Sequence, residues 1–97
     1  MAVIEVVTFR LTPGANEEEF LTADQDFQTA CLYVQRGLLR RTTARGVGNE
    51  WLVVTVWGSA HDADAAAVVC RDDPGAGRWA AFVDPPSLTT RRYHTLD

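Results

Sequence analysis

Two segments of this sequence carry apolar side chains on both faces of a strand, and this property limits the folds that the chain can adopt. The first segment, "AVIEVVTFRL" at residues 2–11, places on one face Val3, Val7, Phe9 and Leu11, and on the other Ile4 and Val6. The second, "WLVVTVW" at residues 51–57, places on one face Trp51, Val53 and Trp57, and on the other Leu52, Val54 and Val56. Neighbouring strand residues point to opposite faces. A sheet built from these strands therefore needs cover on both sides.

Helix signals separate these strands from the rest of the chain. Asn16 before three consecutive glutamates predicts a helix start, and the helix should run over residues 17–36 until Gly37 ends it in a left-handed conformation. Ser59 and Asp62 form a second capping pattern before the alanine-rich "ADAAAVVC". We expect "RDDPGAG" to end that helix near residue 71, because proline and glycine both oppose continuation.

The remaining segments complete a β-α-β-β-α-β order. "LLRRTTAR" at residues 38–45 predicts a strand that pairs with residues 51–57 as an antiparallel hairpin. "RWAAFVD" adds a short helical turn, and "SLTTRRYHTL" at residues 87–96 is the final strand. This order predicts a single α+β domain over residues 1–97 with a ferredoxin-like βαββαβ fold, a four-stranded antiparallel sheet and both helices on one face. A second copy of the chain is the simplest cover for the other face, so we expect a homodimer.

Composition excludes several classes of protein. A 97-residue chain buries only about 60 to 65% of its unfolded surface, which makes added burial by dimerisation favourable. The net charge of −4 argues against nucleic-acid binding, and the longest apolar run is far shorter than a membrane helix. Cys31 and Cys70 lie among apolar neighbours and are expected to be buried thiols in a reducing compartment. We therefore expect a cytoplasmic protein.

Four pattern elements resemble the antibiotic-biosynthesis-monooxygenase-like proteins of the dimeric α+β barrel superfamily. They are "VVTFRLTPG", the acidic helix start, the aromatic third strand ending in "VWGS", and "RWAAF". The resemblance implies two sheets packed face to face as an α+β barrel, with a pocket between helices and sheet in each subunit. Members of the superfamily include cofactor-independent oxygenases of phenolic or quinol substrates, haem-degrading enzymes and many proteins without known activity.

The haem-degrading branch matches poorly. The pocket asparagine of that branch falls on Val7 here, and the region of its proximal histidine offers only Arg78 and Trp79. The resemblance therefore implies a protein without haem, and we expect no cofactor.

Asp24 is the first candidate for a catalytic base. At about 100° per residue, Phe20, Phe27 and Cys31 form an apolar stripe on the first helix. Asp24 and Gln28 lie within the wider apolar arc, so they either face a cavity or mark a solvated edge. A buried Asp24 needs a partner, water or a ligand, and a raised pKa there would suit a general base.

The final strand offers a second set of polar candidates. Arg92 and His94 share one face, so Arg92 can hold an anion while His94 carries a proton. The alternative is that both side chains reach the barrel rim and pair with acidic helix surfaces.

Aromatic residues supply the candidate pocket walls. Trp51, Trp57 and Trp79, together with Val7, Phe9 and Phe27, suit a flat ligand, although large aromatics also build the core or a dimer interface. His61 follows Ser59 in the first turn of the second helix, where it is either solvated or a neutral hydrogen-bonding group at the pocket mouth near Trp57. His61, Asp62 and Asp64 lack metal-ligand spacing, so we expect no metal site.

Two functional hypotheses follow. The first is a cofactor-independent monooxygenase acting on a small phenol or quinol, with Asp24 or His94 as base. The alternative is a non-catalytic homodimer that binds a small apolar ligand or serves as a scaffold.

Overall fold

Four antiparallel strands form one sheet in the computed structural model, which describes residues 1–96. They are β1 (Val3–Arg10), β2 (Leu38–Arg45), β3 (Glu50–Trp57) and β4 (Thr89–His94). Their spatial order is β2-β3-β1-β4, with every neighbouring pair antiparallel. This order confirms the predicted ferredoxin-like sheet and the β2–β3 hairpin.

The helices begin where the capping patterns predict. α1 (Glu17–Phe27) starts with the Asn16 Oδ1 atom accepting a hydrogen bond from the Glu19 amide at 3.0 Å. α2 (Ala60–Arg71) starts with the Ser59 hydroxyl accepting one from the Asp62 amide at 3.1 Å. None of the helices within residues 1–96 has the length and apolar character needed to cross a lipid bilayer.

Two helical boundaries differ from the sequence expectation. The first helix was expected to reach residue 36, but α1 passes into a π-helical turn (Gln28–Leu32) and the helical conformation ends there. α2 ends at Arg71, as predicted, but the short helical turn expected from "RWAAFVD" begins earlier, at Pro74, as α3 (Pro74–Ala80). A proline is tolerated at the first helical position because the amide that it lacks would have no intrahelical partner. The Asp73 carboxylate caps α3 by accepting from the Gly75 amide at 2.7 Å.

The core lies between the helices and one face of the sheet. That face carries the side chains that alternation grouped together, and Val3, Phe9, Trp51, Val53 and Trp57 are all buried. Phe20 of α1 packs edge-on against Phe9 and Trp51, with ring centroids 5.8 and 5.1 Å away. The sheet face that packs on the helices is therefore the one predicted to carry Trp51 and Trp57.

The opposite face of the sheet is also apolar at its centre. Five of its side chains are only half-buried in the single chain: Ile4, Val6, Leu52, Val54 and Val56. The single chain thus leaves the second apolar face partly open, as the strand patterns indicated.

Gly37 joins the end of the first helical region to β2 in a turn that requires glycine. Its φ angle is +85°, and its carbonyl accepts a hydrogen bond from the Gly58 amide at 2.8 Å. A Cβ atom at this position would collide with the Asp62 carboxylate. The left-handed conformation predicted for Gly37 is confirmed, and the contact with Asp62 adds a second reason for glycine.

The Gly37→Ala variant should be much less stable than Gly14→Ala. Both glycines have positive φ, so both substitutions cost roughly 1 kcal/mol of backbone strain. Gly14 has open space around the added carbon, whereas the collision at Gly37 should cost roughly 1–3 kcal/mol more. Urea unfolding of the two variants measures the difference, and equal stabilities would contradict the steric argument.

Candidate functional site

One row of side chains crosses the helix-facing side of the sheet and is polar on all four strands. The strand register places Arg41 beside Thr55, Thr55 beside Glu5, and Glu5 beside Arg92. We call these four residues the polar row. The two rows that flank the polar row on this side of the sheet are largely apolar at their centre. Trp57 pairs with Val3 in one of them, and Val53 pairs with Val7 in the other. Polar groups in this setting need partners, because burial without hydrogen bonds is costly.

Asp24 of α1 supplies the partner at one end of the polar row. The Arg41 guanidinium donates to both carboxylate oxygens, at 2.7 and 3.3 Å. Trp79 donates its indole N–H to Asp24 at 2.8 Å, and Thr43 donates its hydroxyl at 2.7 Å. These four bonds use about all the lone-pair positions that a carboxylate offers. Asp24 is therefore buried and fully paired, not a solvated edge.

The partners of Asp24 also determine its protonation state. Burial disfavours the charged carboxylate, but hydrogen bonding and charge from Arg41, with the bonds from Thr43 and Trp79, outweigh it and lower the pKa of Asp24 below 3.8. A general base needs a pKa near the working pH and a free lone pair. The raised pKa expected for a catalytic Asp24 is therefore wrong for this geometry.

Glu5 and Arg92 form the other end of the polar row. Glu5 Oε2 accepts from Arg92 Nε and Nη2 at 3.3 and 3.0 Å, and Glu5 Oε1 accepts from the Trp57 indole at 2.9 Å. Arg92 also reaches Asp64 of α2 at 2.8 Å. The hydrogen bond with Glu5 and then that with Asp64 raise the pKa of Arg92. Arg92 is therefore charged and paired, while Glu5 keeps one acceptor position on Oε1.

A cleft of about 270 Å³ opens above the middle of the polar row, between the sheet and the helices. We call it the helix–sheet cleft. Its sheet side is formed by Glu5, Thr55 and Trp57, and its helical side is lined mostly by small or apolar residues: Phe27, Leu32, Ala63, Ala66, Ala67, Cys70 and Ala76, with Arg71 at the end of α2. Aromatic walls with a few polar groups are typical of small-molecule sites.

A second cleft, about 470 Å³, lies between α1 and α3. It is larger but is lined by the carboxylates of Glu18, Glu19 and Asp26 and by Arg78, and these side chains belong to an exposed helical surface. The helix–sheet cleft is the better candidate because it combines aromatic walls with a carboxylate in the sheet.

The structure places the predicted pocket residues in three parts of the fold. Phe27 and Trp57 line the helix–sheet cleft. Four others pack together in the aromatic core around Phe20: Val7, Phe9, Trp51 and Trp79. Gln28 belongs to the buried network, where its Oε1 atom accepts from Arg41 at 3.1 Å.

The two histidines lie outside this cleft. His61 is exposed in the first turn of α2, and His94 is exposed at the end of β4. A catalytic role for His94 stays a prediction. Across residues 1–96, the histidines, cysteines and acidic residues form no group of three that could hold a metal ion.

Cys31 and Cys70 are both buried free thiols, as predicted. Burial raises the pKa of Cys70 to about 12, and a hydrogen bond with Cys31 and the charge of Asp73 act in the same direction. Cys70 therefore contributes a protonated, weakly polar surface to the cleft.

Three residues of the polar row were absent from the sequence-based candidates. Glu5 falls on the same face as Val3, Val7 and Phe9, so strand alternation alone indicates that it faces the helices. Alternation on β3 places Thr55 on the helix-facing side in the same way, between Val53 and Trp57. Arg41 had no such signal, because β2 is mostly polar and its pairing register shifts between Leu38 and Arg40.

Asp24→Asn should destabilise the fold strongly, because it leaves the buried Arg41 charge without a carboxylate. We expect a loss of about 3–5 kcal/mol in urea unfolding at neutral pH. Glu17→Gln removes the exposed ion pair with Arg45 and should cost less than about 1 kcal/mol. Similar losses in both variants would contradict the buried role of Asp24.

The native protein and the Asp24→Asn variant also give a pH test. The folded-state pKa of Asp24 lies below its ordinary value of 3.8. The carboxylate therefore makes its full contribution to the free energy of unfolding above pH 3.8, and this contribution is lost as the pH falls through the folded-state pKa. The stability difference between the native protein and Asp24→Asn should therefore shrink below about pH 4.

Comparison with known proteins rests on structure. Neither a protein-family model nor a curated protein matches the sequence. SnoaB, a cofactor-independent oxygenase from Streptomyces nogalater, superposes with a TM-score of 0.82 at 18% identity, covering 99% of this chain and 94% of that one. A proposed antibiotic biosynthesis monooxygenase from Caulobacter crescentus gives 0.83 at 12% identity, covering 99% and 91%. Rv0793 from Mycobacterium tuberculosis gives 0.73 at 16% identity, covering 100% and 97%. Across the residues that these structures match, this chain has the fold of the antibiotic-biosynthesis-monooxygenase-like proteins.

Proposed function

We propose that the helix–sheet cleft binds a small phenol or quinol and that the protein oxidises it without a cofactor. The observation that carries this proposal is the Glu5 carboxylate, held on the sheet side of the cleft with one free acceptor position and with Trp57 and Phe27 as aromatic neighbours. The fold shared with a cofactor-independent oxygenase supports the same class of reaction.

The dimensions of the cleft favour a small ligand. Its volume of about 270 Å³ is just below the roughly 300–1,000 Å³ of pockets that hold drug-sized molecules. A ligand with one or two aromatic rings suits this volume, and the alanines of α2 allow a flat ring to approach the helix closely.

The proposed chemistry begins with proton transfer. Glu5 Oε1 accepts the proton of the aromatic hydroxyl, while Arg92 and the Trp57 indole hold the carboxyl group in place. The phenolate then passes one electron to dioxygen, and the resulting pair combines at a ring carbon that carries hydrogen, para to the oxygen. Glu5 returns its proton to the outer peroxide oxygen, the ring C–H hydrogen leaves as a second proton, and cleavage of the O–O bond releases that oxygen with both protons as water. In sum, one phenol and one O₂ give one quinone and one water, and the substrate supplies all the electrons.

Asp24 is already held by Arg41, and Arg92 by Glu5 and Asp64. These pairings favour the alternative proposal, a dimer that binds a small apolar ligand without turnover. Both hypotheses predict binding in the cleft. They differ in oxygen uptake, which only the enzyme shows.

We also propose that two copies of the chain pack through their open sheet faces as an α+β barrel. The half-buried apolar side chains of β1 and β3 support this arrangement, because a second sheet would remove them from water. In the single chain all six residues of β4 are exposed, so the same contact would add burial to an edge strand.

Glu5→Gln should abolish oxidation while preserving the fold. The amide oxygen can still accept from Trp57, and Arg92 keeps Asp64, but no carboxylate remains to take the proton. With 1-naphthol as probe, we expect the oxygen consumption of the native protein to fall at least about 100-fold in the variant. Glu50→Gln, at the exposed start of β3, is the matched control. Naphthol binding without oxygen uptake by the native protein would favour the non-catalytic alternative.

Val54→Lys should disrupt the proposed dimer, because it places a charge at the centre of the open sheet face. The native protein should show twice the 10.7 kDa chain mass at micromolar concentration, and the variant should show the mass of one chain. Val47→Lys at the fully exposed hairpin tip should leave the dimer intact. Light scattering measures all three masses, and a monomeric native protein would contradict the proposal.

A further inference from the structure

We propose that the Thr55 hydroxyl holds the ligand's aromatic oxygen and stabilises its negative charge after Glu5 has taken the proton. This inference rests on the proposed function, and it assigns to Thr55 a role in positioning the ligand and in selecting for an aromatic hydroxyl.

Thr55 is the one member of the polar row whose side chain is left without an assigned partner. Arg41 is held by Asp24, and Glu5 and Arg92 hold each other. Among the hydrogen bonds found within residues 1–96, none involves Thr55 Oγ1. The residue is half-buried and lines the helix–sheet cleft. A hydroxyl in this position has both a donor and acceptor capacity to offer a ligand.

Thr55 lies directly beside Glu5 on the neighbouring strand. The two residues are direct partners in the β1–β3 register, and such partners on one face have Cβ atoms about 4.5–5.5 Å apart. One ligand oxygen lying between them can donate its hydrogen to Glu5 Oε1 and accept a hydrogen bond from Thr55 Oγ1, since each bond spans about 2.7 Å.

The hydrogen bond from Thr55 gains strength during the reaction. When the phenolic proton moves to Glu5, the bonding electron pair stays on the ligand oxygen, which becomes negative while the carboxylate becomes neutral. A donor to a charged oxygen forms a shorter and stronger bond than a donor to a neutral one. Thr55 therefore favours the ionised ligand over the neutral ligand and makes the bound phenol more acidic.

This arrangement also defines the class of ligand. An aromatic hydroxyl offers one donor and an acceptor on the same atom, so it satisfies Glu5 and Thr55 together. An aryl methyl ether lacks the donor and would leave the Glu5 acceptor position facing another lone pair. The pair Thr55 and Glu5 should therefore select phenols and reject their methyl ethers.

The test uses 4-nitrophenol, whose phenolate absorbs visible light, with Thr55→Val and Thr55→Ser. The absorbance of the bound probe is titrated with pH for each protein. We expect the bound phenol to be about tenfold less acidic in Thr55→Val than in the native protein. Thr55→Ser, which keeps the hydroxyl, should restore the native value. Thr90→Val, on the exposed strand β4 outside the cleft, should change nothing.

The outcomes separate this inference from the proposed function. If 4-nitrophenol binds to the native protein but its acidity is the same in Thr55→Val, the role of Thr55 is overturned and the proposed function stands. Tight binding of 4-nitroanisole, equal to that of 4-nitrophenol, overturns it as well. If the native protein does not bind 4-nitrophenol at all, the proposed function fails and this inference fails with it. Urea unfolding checks that Thr55→Val is folded. If it is not, the same pH titration is made with Thr55→Ala and Thr55→Ser, and equal acidity of the bound phenol in these two variants overturns the role of the hydroxyl.

Discussion

The buried ion pair between Asp24 and Arg41 joins the first helix to the outer strand β2. Burying two charges costs several kcal/mol for each ion unless geometry and hydrogen bonds offset it. Here the guanidinium contacts both carboxylate oxygens, and Trp79 and Thr43 complete the shell. Because Trp79 lies on α3, one carboxylate links α1, α3 and the sheet. Hydrogen bonds to this carboxylate are directional whereas apolar packing is not, so they restrain how the helical layer lies over the sheet.

The carboxylates at the two ends of the polar row differ in how many of their acceptor positions are occupied. Asp24 has all its acceptor positions occupied, so it holds charge without offering chemistry. Glu5 is fixed by an arginine and an indole but keeps one position open toward the cleft. Both carboxylates bind arginines of the polar row. Asp24 is the more buried of the two and accepts more hydrogen bonds than Glu5. The candidate chemistry therefore belongs to the less saturated of two similar ion pairs.

Local patterns predicted the fold well because strands and helix starts depend on neighbouring residues. Alternation identified the buried face of β3, and the side chains of Asn16 and Ser59 marked both helix starts. The candidate site was harder to predict, since Asp24 meets Arg41 and Trp79 only through tertiary contacts. Alternation puts Glu5 on the buried face of β1, but no local pattern shows whether a single charge among valines is solvated or finds buried partners. The π-helical turn that ends the first helical region had no local signal in the sequence.

The alanines along α2 leave room for the cleft between helix and sheet. Ala63, Ala66 and Ala67 carry one methyl group each where the helix passes over the sheet. The space in the cleft therefore comes from short side chains on α2, not from a gap in the backbone. Such a space can be enlarged, narrowed or reshaped one carbon at a time while the helix stays in place. Exchanging single residues on this helix face would change the volume of the cleft and leave the polar row untouched.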